Sequence, residues 1–115
     1  MSLGSEGEAL VAEHAARLGW RVLERNWRCR YGELDLVAED GGTVVFVEVK
    51  TRSSRRRGAP EEAVDARKQA RLARLAAAYL SERGWLERPC RFDVAAVEGG
   101  EVRLLRAAFS VEGAA

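Results

Sequence analysis

Two stretches of this chain concentrate apolar residues with a strand-like period. Glu33-Leu34-Asp35-Leu36-Val37-Ala38 alternates polar and apolar positions, and Thr43 through Thr51 is a nearly continuous apolar run. Asp40-Gly41-Gly42 between them is a hairpin signal. Upstream, Trp20-Arg21-Val22-Leu23 opens a strand that runs toward Trp27 or Arg28, and Tyr31-Gly32 marks a break. Earlier still, Ser5-Glu6-Gly7-Glu8 reads as a capping box, and Leu10, Ala12 and Ala16 supply apolar surface for a helix from about Glu6 to Leu18. Gly19 then suits the left-handed position after it.

Ser53 to Gly58 is small, polar and basic, hence a loop. Pro60 and Glu61-Glu62 fit a helix start, with a turn near Asp65, and the helical pattern continues to Arg83 before Gly84. Arg91–Val97 and Val102–Leu105 form a closing hairpin around Glu98-Gly99-Gly100-Glu101, and the tail from about residue 111 frays. Helix, three strands, helix and two strands make one α/β domain over residues 1–115, with a mixed central sheet.

Composition narrows the class. The 115 residues suit one domain that buries roughly two-thirds of its unfolded surface. A 47% hydrophobic content excludes wholesale disorder, and a net charge of +1 excludes a histone-like chain. The longest apolar stretch, around Leu75–Leu80, falls far short of the ~20 residues of a membrane helix. No basic segment followed by an apolar core opens the chain, so no signal peptide and no membrane partner are expected. Cys29 and Cys90 lie far apart, outside any metal or disulfide framework, and fit a cytoplasmic protein. Arg outnumbers Lys heavily among the basic residues, which singles out the two lysines, Lys50 and Lys68.

Strand parity then gives the candidate chemistry. Glu33, Asp35 and Val37 share one face of their strand, and Leu34 and Leu36 the other. Val44, Phe46, Glu48 and Lys50 share a face of the next. A two-residue Gly41-Gly42 loop sets Asp40 opposite Thr43, Asp35 opposite Glu48 and Glu33 opposite Lys50. Opposed carboxylates repel, and a sheet built only for stability avoids them. A divalent cation turns that repulsion into coordination, and Mg2+ takes a few carboxylates plus waters. The alternative is a solvated face with an ordinary Glu33–Lys50 ion pair. The position of Glu48 inside an apolar strand favours the site.

These residues resemble a known family. Gly32-Glu33-Leu34-Asp35 followed by Val47-Glu48-Val49-Lys50 looks like the split acid…E-x-K signature of restriction-endonuclease-like nucleases. With Glu8, Arg25-Asn26, Phe46 through Arg52, Lys68 and Arg91-Phe92-Asp93, nearly the whole chain resembles the YraN-type bacterial family, which is similar to Holliday-junction resolvases. The resemblance implies a restriction-endonuclease-like fold and DNA, branched or junction DNA included, as substrate. It implies Mg2+ or Mn2+ on Asp35, Glu48 and the Val49 carbonyl, with Lys50 acting on the attacking water or the phosphate. Glu8 matches a helix-borne acid of some resolvases, beside its capping-box reading. Glu33 is either an outer acid or a partner of Lys50. The resemblance also makes a homodimer the expected way to pair active sites.

Lys68 lies on the helical stripe Val64, Leu72, Leu75, Tyr79, Leu80, either snorkelling from the core edge or contacting phosphate, with Gln69 a lesser candidate beside it. Arg52, Arg55, Arg56 and Arg57 follow Lys50 directly. That run reads as a phosphate-binding loop, against the alternative of a solvated charged loop. Trp20, Trp27 and Trp85 read as packing residues, His14 is a lone histidine, and Arg91–Asp93 reads as a local ion pair. A metal-dependent deoxyribonuclease is thus the expected function. The alternatives are a non-catalytic nucleic-acid-binding module on the same fold and a structural or partner-binding domain.

Overall fold

The computed structural model describes residues 3–52 and 64–110. Its elements are α1 (Leu3–Arg17), β1 (Arg21–Cys29), β2 (Gly32–Asp40), β3 (Thr43–Arg52), α2 (Ala66–Arg83), β4 (Cys90–Glu98) and β5 (Glu101–Phe109), which is the expected order. The Ser53–Gly58 loop with Arg55, Arg56 and Arg57, the expected helix start at Pro60–Glu62, and the tail from residue 111 lie outside the described residues.

The strands form one sheet in the order β1-β2-β3-β4-β5, antiparallel except for the parallel β3–β4 pair. A parallel pair needs a crossover, and α2 lies within it. One core layer packs Val37, Val44, Phe46 and Val94 against Leu72, Leu75, Tyr79 and Leu80 of α2. The other packs Leu36, Val45, Val47 and Ala95 against Val11 and Ala15 of α1, with Trp20 beneath them. With a helix on each face, β3 is covered on both sides, which is why its sequence runs apolar with little alternation. Trp27 and Trp85 pack edge-on against Tyr79, as expected of packing residues.

Turn chemistry sets the hairpin registers. Gly41 and Gly42 both take positive φ and close β2 onto β3 with Asp40 opposite Thr43. The expected turn near Asp65 is the start of α2: Asp65 caps the helix by accepting from the Lys68 N–H at 2.9 Å. Gly84 ends it in the left-handed conformation.

Two local expectations are corrected. Ser5 lies inside α1, because the helix begins at Leu3 and not after Ser5; it is therefore no N-cap, and the capping-box reading of Glu8 falls with it. Leu34 and Leu36 do not share a face. Leu34 packs in the α2 layer and Leu36 in the α1 layer. The parity changes at Asp35, across from Asn26 of β1, which adopts a left-handed φ of 56° and interrupts the β1–β2 ladder between Arg25–Leu36 and Trp27–Leu34.

Gly7 sets how closely α1 approaches the sheet. A Cβ there would stand 2.2 Å from Thr51 Oγ1. Thr51 is β-branched, on a strand, and stiff about χ1. Gly7→Ala is therefore expected to cost about 1–2 kcal/mol, overpacking outweighing the roughly 1 kcal/mol helix gain of Ala. Combined with Thr51→Ala, the same change is expected to stabilise. Chemical denaturation of the single and double variants checks this; a Gly7→Ala chain as stable as the native one would contradict the close approach.

Candidate functional site

The register of β2 and β3 holds from Asp40–Thr43 to Leu36–Val47. Asp35 and Glu48 come at the next step, where the backbone ladder gives way. The Val49 N–H donates to Asp35 Oδ2 at 2.9 Å. A side chain thus takes the place of a strand carbonyl, and Asp35 is drawn against Glu48.

Glu48 points to the α2 side of the sheet, as do Val44 and Phe46. Its side chain is only 10% exposed, and its Oε2 receives two ammonium groups: Lys50 at 3.3 Å and Lys68 from the first turn of α2. Lys50 reaches it as the next residue but one on the same strand face. Lys68 therefore holds Glu48, and the apolar stripe of α2 is what aims it there. A carboxylate this buried needs such partners.

Among the described residues no cation pairs with Asp35. Its carboxyl is pushed up to about 7, first by burial and then by the negative charge of Glu48, with the Val49 N–H pulling the other way. Glu8, buried at the sheet-facing side of α1, is also raised, by burial above all. Asn26 hydrogen-bonds it and lowers it, and Glu33 raises it further. Burial depresses the Lys50 ammonium, with the Lys68 side chain acting in the same direction against Glu48. The Lys68 ammonium is raised: burial acts against its charge, and the hydrogen bond to Glu48 outweighs that together with Lys50.

Behind the acids lies a cavity of about 10 Å3, lined by Asp35, Glu48 and Asp93 among Leu34, Phe46, Leu72 and Phe92. It has room for about one water and none for a nucleotide. Asp93, fully buried, is a different case. Arg91 pairs with it at 3.0 Å, as expected, and the Ala107 N–H donates to it at 2.9 Å.

The structure thus brings together Asp35, Glu48, Val49, Lys50, Lys68 and Glu8. Glu33 is not the partner of Lys50. It pairs with Arg28 at 3.2 Å, because Lys50 leans to Glu48 once β2 and β3 stop pairing. Gln69 donates to the Val64 carbonyl at 3.0 Å and fastens the chain entering α2. Arg52 ends β3. Asn26 is the residue the site reading left out; the signal was available, since Asn is one of the few residue types that tolerate a left-handed φ in a strand.

Mg2+ is the ion implied by the signature, and the donor set suits it. Among the described residues no three carboxylates, histidines or cysteines form a ready-made cage. Mg2+ does not need one, since it binds one or two carboxylates and keeps its waters. The raised Asp35 marks a place where a cation would relieve unbalanced negative charge.

Comparison with known proteins gives the same family throughout. The model of the uncharacterised protein family UPF0102 matches residues 7–97. A UPF0102 protein of Symbiobacterium thermophilum is 55% identical over 104 residues, 90% of this chain and 88% of that one. One from Moorella thermoacetica is 56% identical over 94 residues, covering 82% and 78%. One from Frankia casuarinae is 50% identical over 113 residues, covering 94% and 96%.

Asp35 makes stability depend on pH with a definite sign. Its folded pKa lies above the unfolded value, so its contribution is fully present below about pH 4 and is lost as pH rises through about 7. Asp35→Asn keeps an acceptor for the Val49 N–H and removes the charge. Without divalent ions it is expected to stabilise the chain by roughly 1–3 kcal/mol at pH 8 and hardly at all at pH 4. Thermal melts across that range check it; equal stability of the two chains at pH 8 would refute the strained acid pair.

Proposed function

We propose that this chain, which belongs to the uncharacterised protein family UPF0102, is a Mg2+- or Mn2+-dependent nuclease that hydrolyses DNA phosphodiesters. Branched or junction DNA is the substrate that the likeness to resolvases suggests. One observation carries the reading: half-buried Asp35 lies against buried Glu48, with Asp35 pushed up to about 7, next to the two lysines. An acid pair under repulsion is costly for a fold and useful for holding a cation.

In this reading Asp35, Glu48 and the Val49 carbonyl would hold the ion, and Asn26 steadies Glu8 beside them. When bound, the ion would supply Lewis-acid chemistry that makes water a nucleophile at neutral pH and neutralises phosphoryl charge. Lys68 fixes Glu48 from α2, so Lys50 is not needed for that task. The depressed ammonium of Lys50 suits a group that gives and takes a proton at Nζ, or that meets a phosphate oxygen. The cationic run from Arg52 to Arg57 follows in sequence and would neutralise neighbouring phosphates.

The second reading is a non-catalytic nucleic-acid-binding module. What favours it is that Glu48 Oε2 already has two ammonium partners, which balance its charge without an ion. Cleavage of linear, flapped and four-way DNA with Mg2+ or Mn2+ separates the two. Glu48→Ala is expected to abolish cleavage and Lys50→Ala to reduce it by about 100-fold or more, while DNA binding persists. Calorimetric titration with Mn2+ is expected to give binding in the native chain and none in Asp35→Ala. Salt-dependent DNA binding with neither cleavage nor a metal response would establish the second reading instead.

A further inference from the structure

Outside the acid pair, the strongest unused feature is the tip of the β1–β2 hairpin. Its two-residue turn is Arg30-Tyr31, closed by the Cys29–Gly32 pair. Tyr31 is 39% exposed and is the one aromatic among the large hydrophobic side chains exposed in the described residues; Leu18 and Leu86 are the others. Two guanidinium groups lie near its ring, Arg30 at 5.0 Å and Arg74 of α2 at 5.7 Å from the centroid. Arg30 also donates to the Tyr31 hydroxyl at 2.8 Å. The tip rests on α2: a Cβ on Gly32 would touch Leu75 at 3.7 Å.

Arg74 belongs to a row. Arg67, Arg71 and Arg74 are all exposed, at i, i+4 and i+7 on one face of α2. Arg71 lies near enough to Lys68 to weigh on its charge, so the row begins beside the lysine that holds Glu48 and ends at Arg74 over Tyr31. None of the ion pairs among the described residues uses any of these three arginines. A row of cations leading to an exposed aromatic ring combines the two elements of single-strand binding, a track for the phosphates and a platform for a base. A duplex end offers the first partner but keeps its bases stacked. Tyr31 stands just before β2, four residues from Asp35, about 13 Å at strand rise, or roughly the rise of four stacked nucleotides.

We propose that exposed Tyr31, with Arg30 and Arg74 beside it, is a stacking platform for an unpaired nucleotide a few positions from the acid pair, with Arg67 and Arg71 tracking the connecting phosphates. The site therefore takes nucleic acid with a single-stranded or flapped segment. This rests on the nucleic-acid part of the function proposed above and not on cleavage.

Binding of the full chain, in chelator so that no cleavage intervenes, tests it. The probes are a blunt duplex and the same duplex with a single-stranded flap carrying 2-aminopurine. The native chain is expected to prefer the flapped probe and to change its fluorescence. Tyr31→Leu is expected to lose about tenfold or more on the flap and to bind the blunt duplex unchanged. Tyr31→Phe keeps the preference, and Arg71→Gln weakens both probes and lowers the salt slope by about one. Melting temperatures of all variants check that they fold. Tyr31→Leu binding the flap as the native chain does overturns the platform, even if the chain cleaves DNA. A Tyr31-dependent preference in a chain that never cleaves supports the platform and removes the nuclease reading.

Discussion

A carboxylate buried beside another carboxylate is the constraint around which this fold is arranged. Asp35 and Glu48 meet where β2 stops pairing with β3, and each surrounding element answers to that meeting. β3 donates the Val49 N–H to Asp35 and brings Lys50 to Glu48. The first turn of α2 adds Lys68, and α1 adds Glu8, held by Asn26 of β1. The compensation is lopsided: among the described residues both ammonium groups go to Glu48, while Asp35 accepts the neutral Val49 N–H and keeps a raised pKa. Charge balance is thus met for one acid and withheld from its neighbour.

Asp93 shows that the fold can bury a carboxylate without such tension. It is fully buried, yet Arg91 and the Ala107 N–H both bind it, and Arg91 also reaches Asp40 at 3.0 Å. Ala107 takes a left-handed φ of 50°, opposite a register shift in β4, to deliver that N–H. Arg91 in turn lies over the Trp20 ring at 5.0 Å, which ties the network to the α1 layer. Among the described residues a guanidinium pairs with Asp93 and none with Asp35. Asp93 is a structural tie, and half-buried Asp35 keeps a raised carboxyl.

Much of this was legible in the sequence, because the signals were local. Gly41-Gly42 gave the hairpin register, and the parity of β3 placed Glu48 and Lys50 on one face. The α2 stripe included Lys68, although its partner on another strand was not readable from the helix alone. Nonlocal contacts were invisible. Leu34 and Leu36 fall on opposite faces, across from the left-handed backbone at Asn26, and no periodicity count contains such a change of parity. Ser5 carried a capping motif inside a helix that had already started. Glu33 paired with Arg28 on the neighbouring strand once Lys50 had turned elsewhere.

The missing side chain at Gly7 has a further consequence. It is the contact that lets α1 lie against Thr51 on β3, and the next residue along the helix is Glu8. The depth of the layer between helix and sheet is therefore also the distance at which Glu8 meets Asp35. A single hydrogen atom in the place of a methyl group works as a spacer gauge. The chemistry of the cluster inherits its scale from a packing dimension, and residues with no polar atom to offer can retune it.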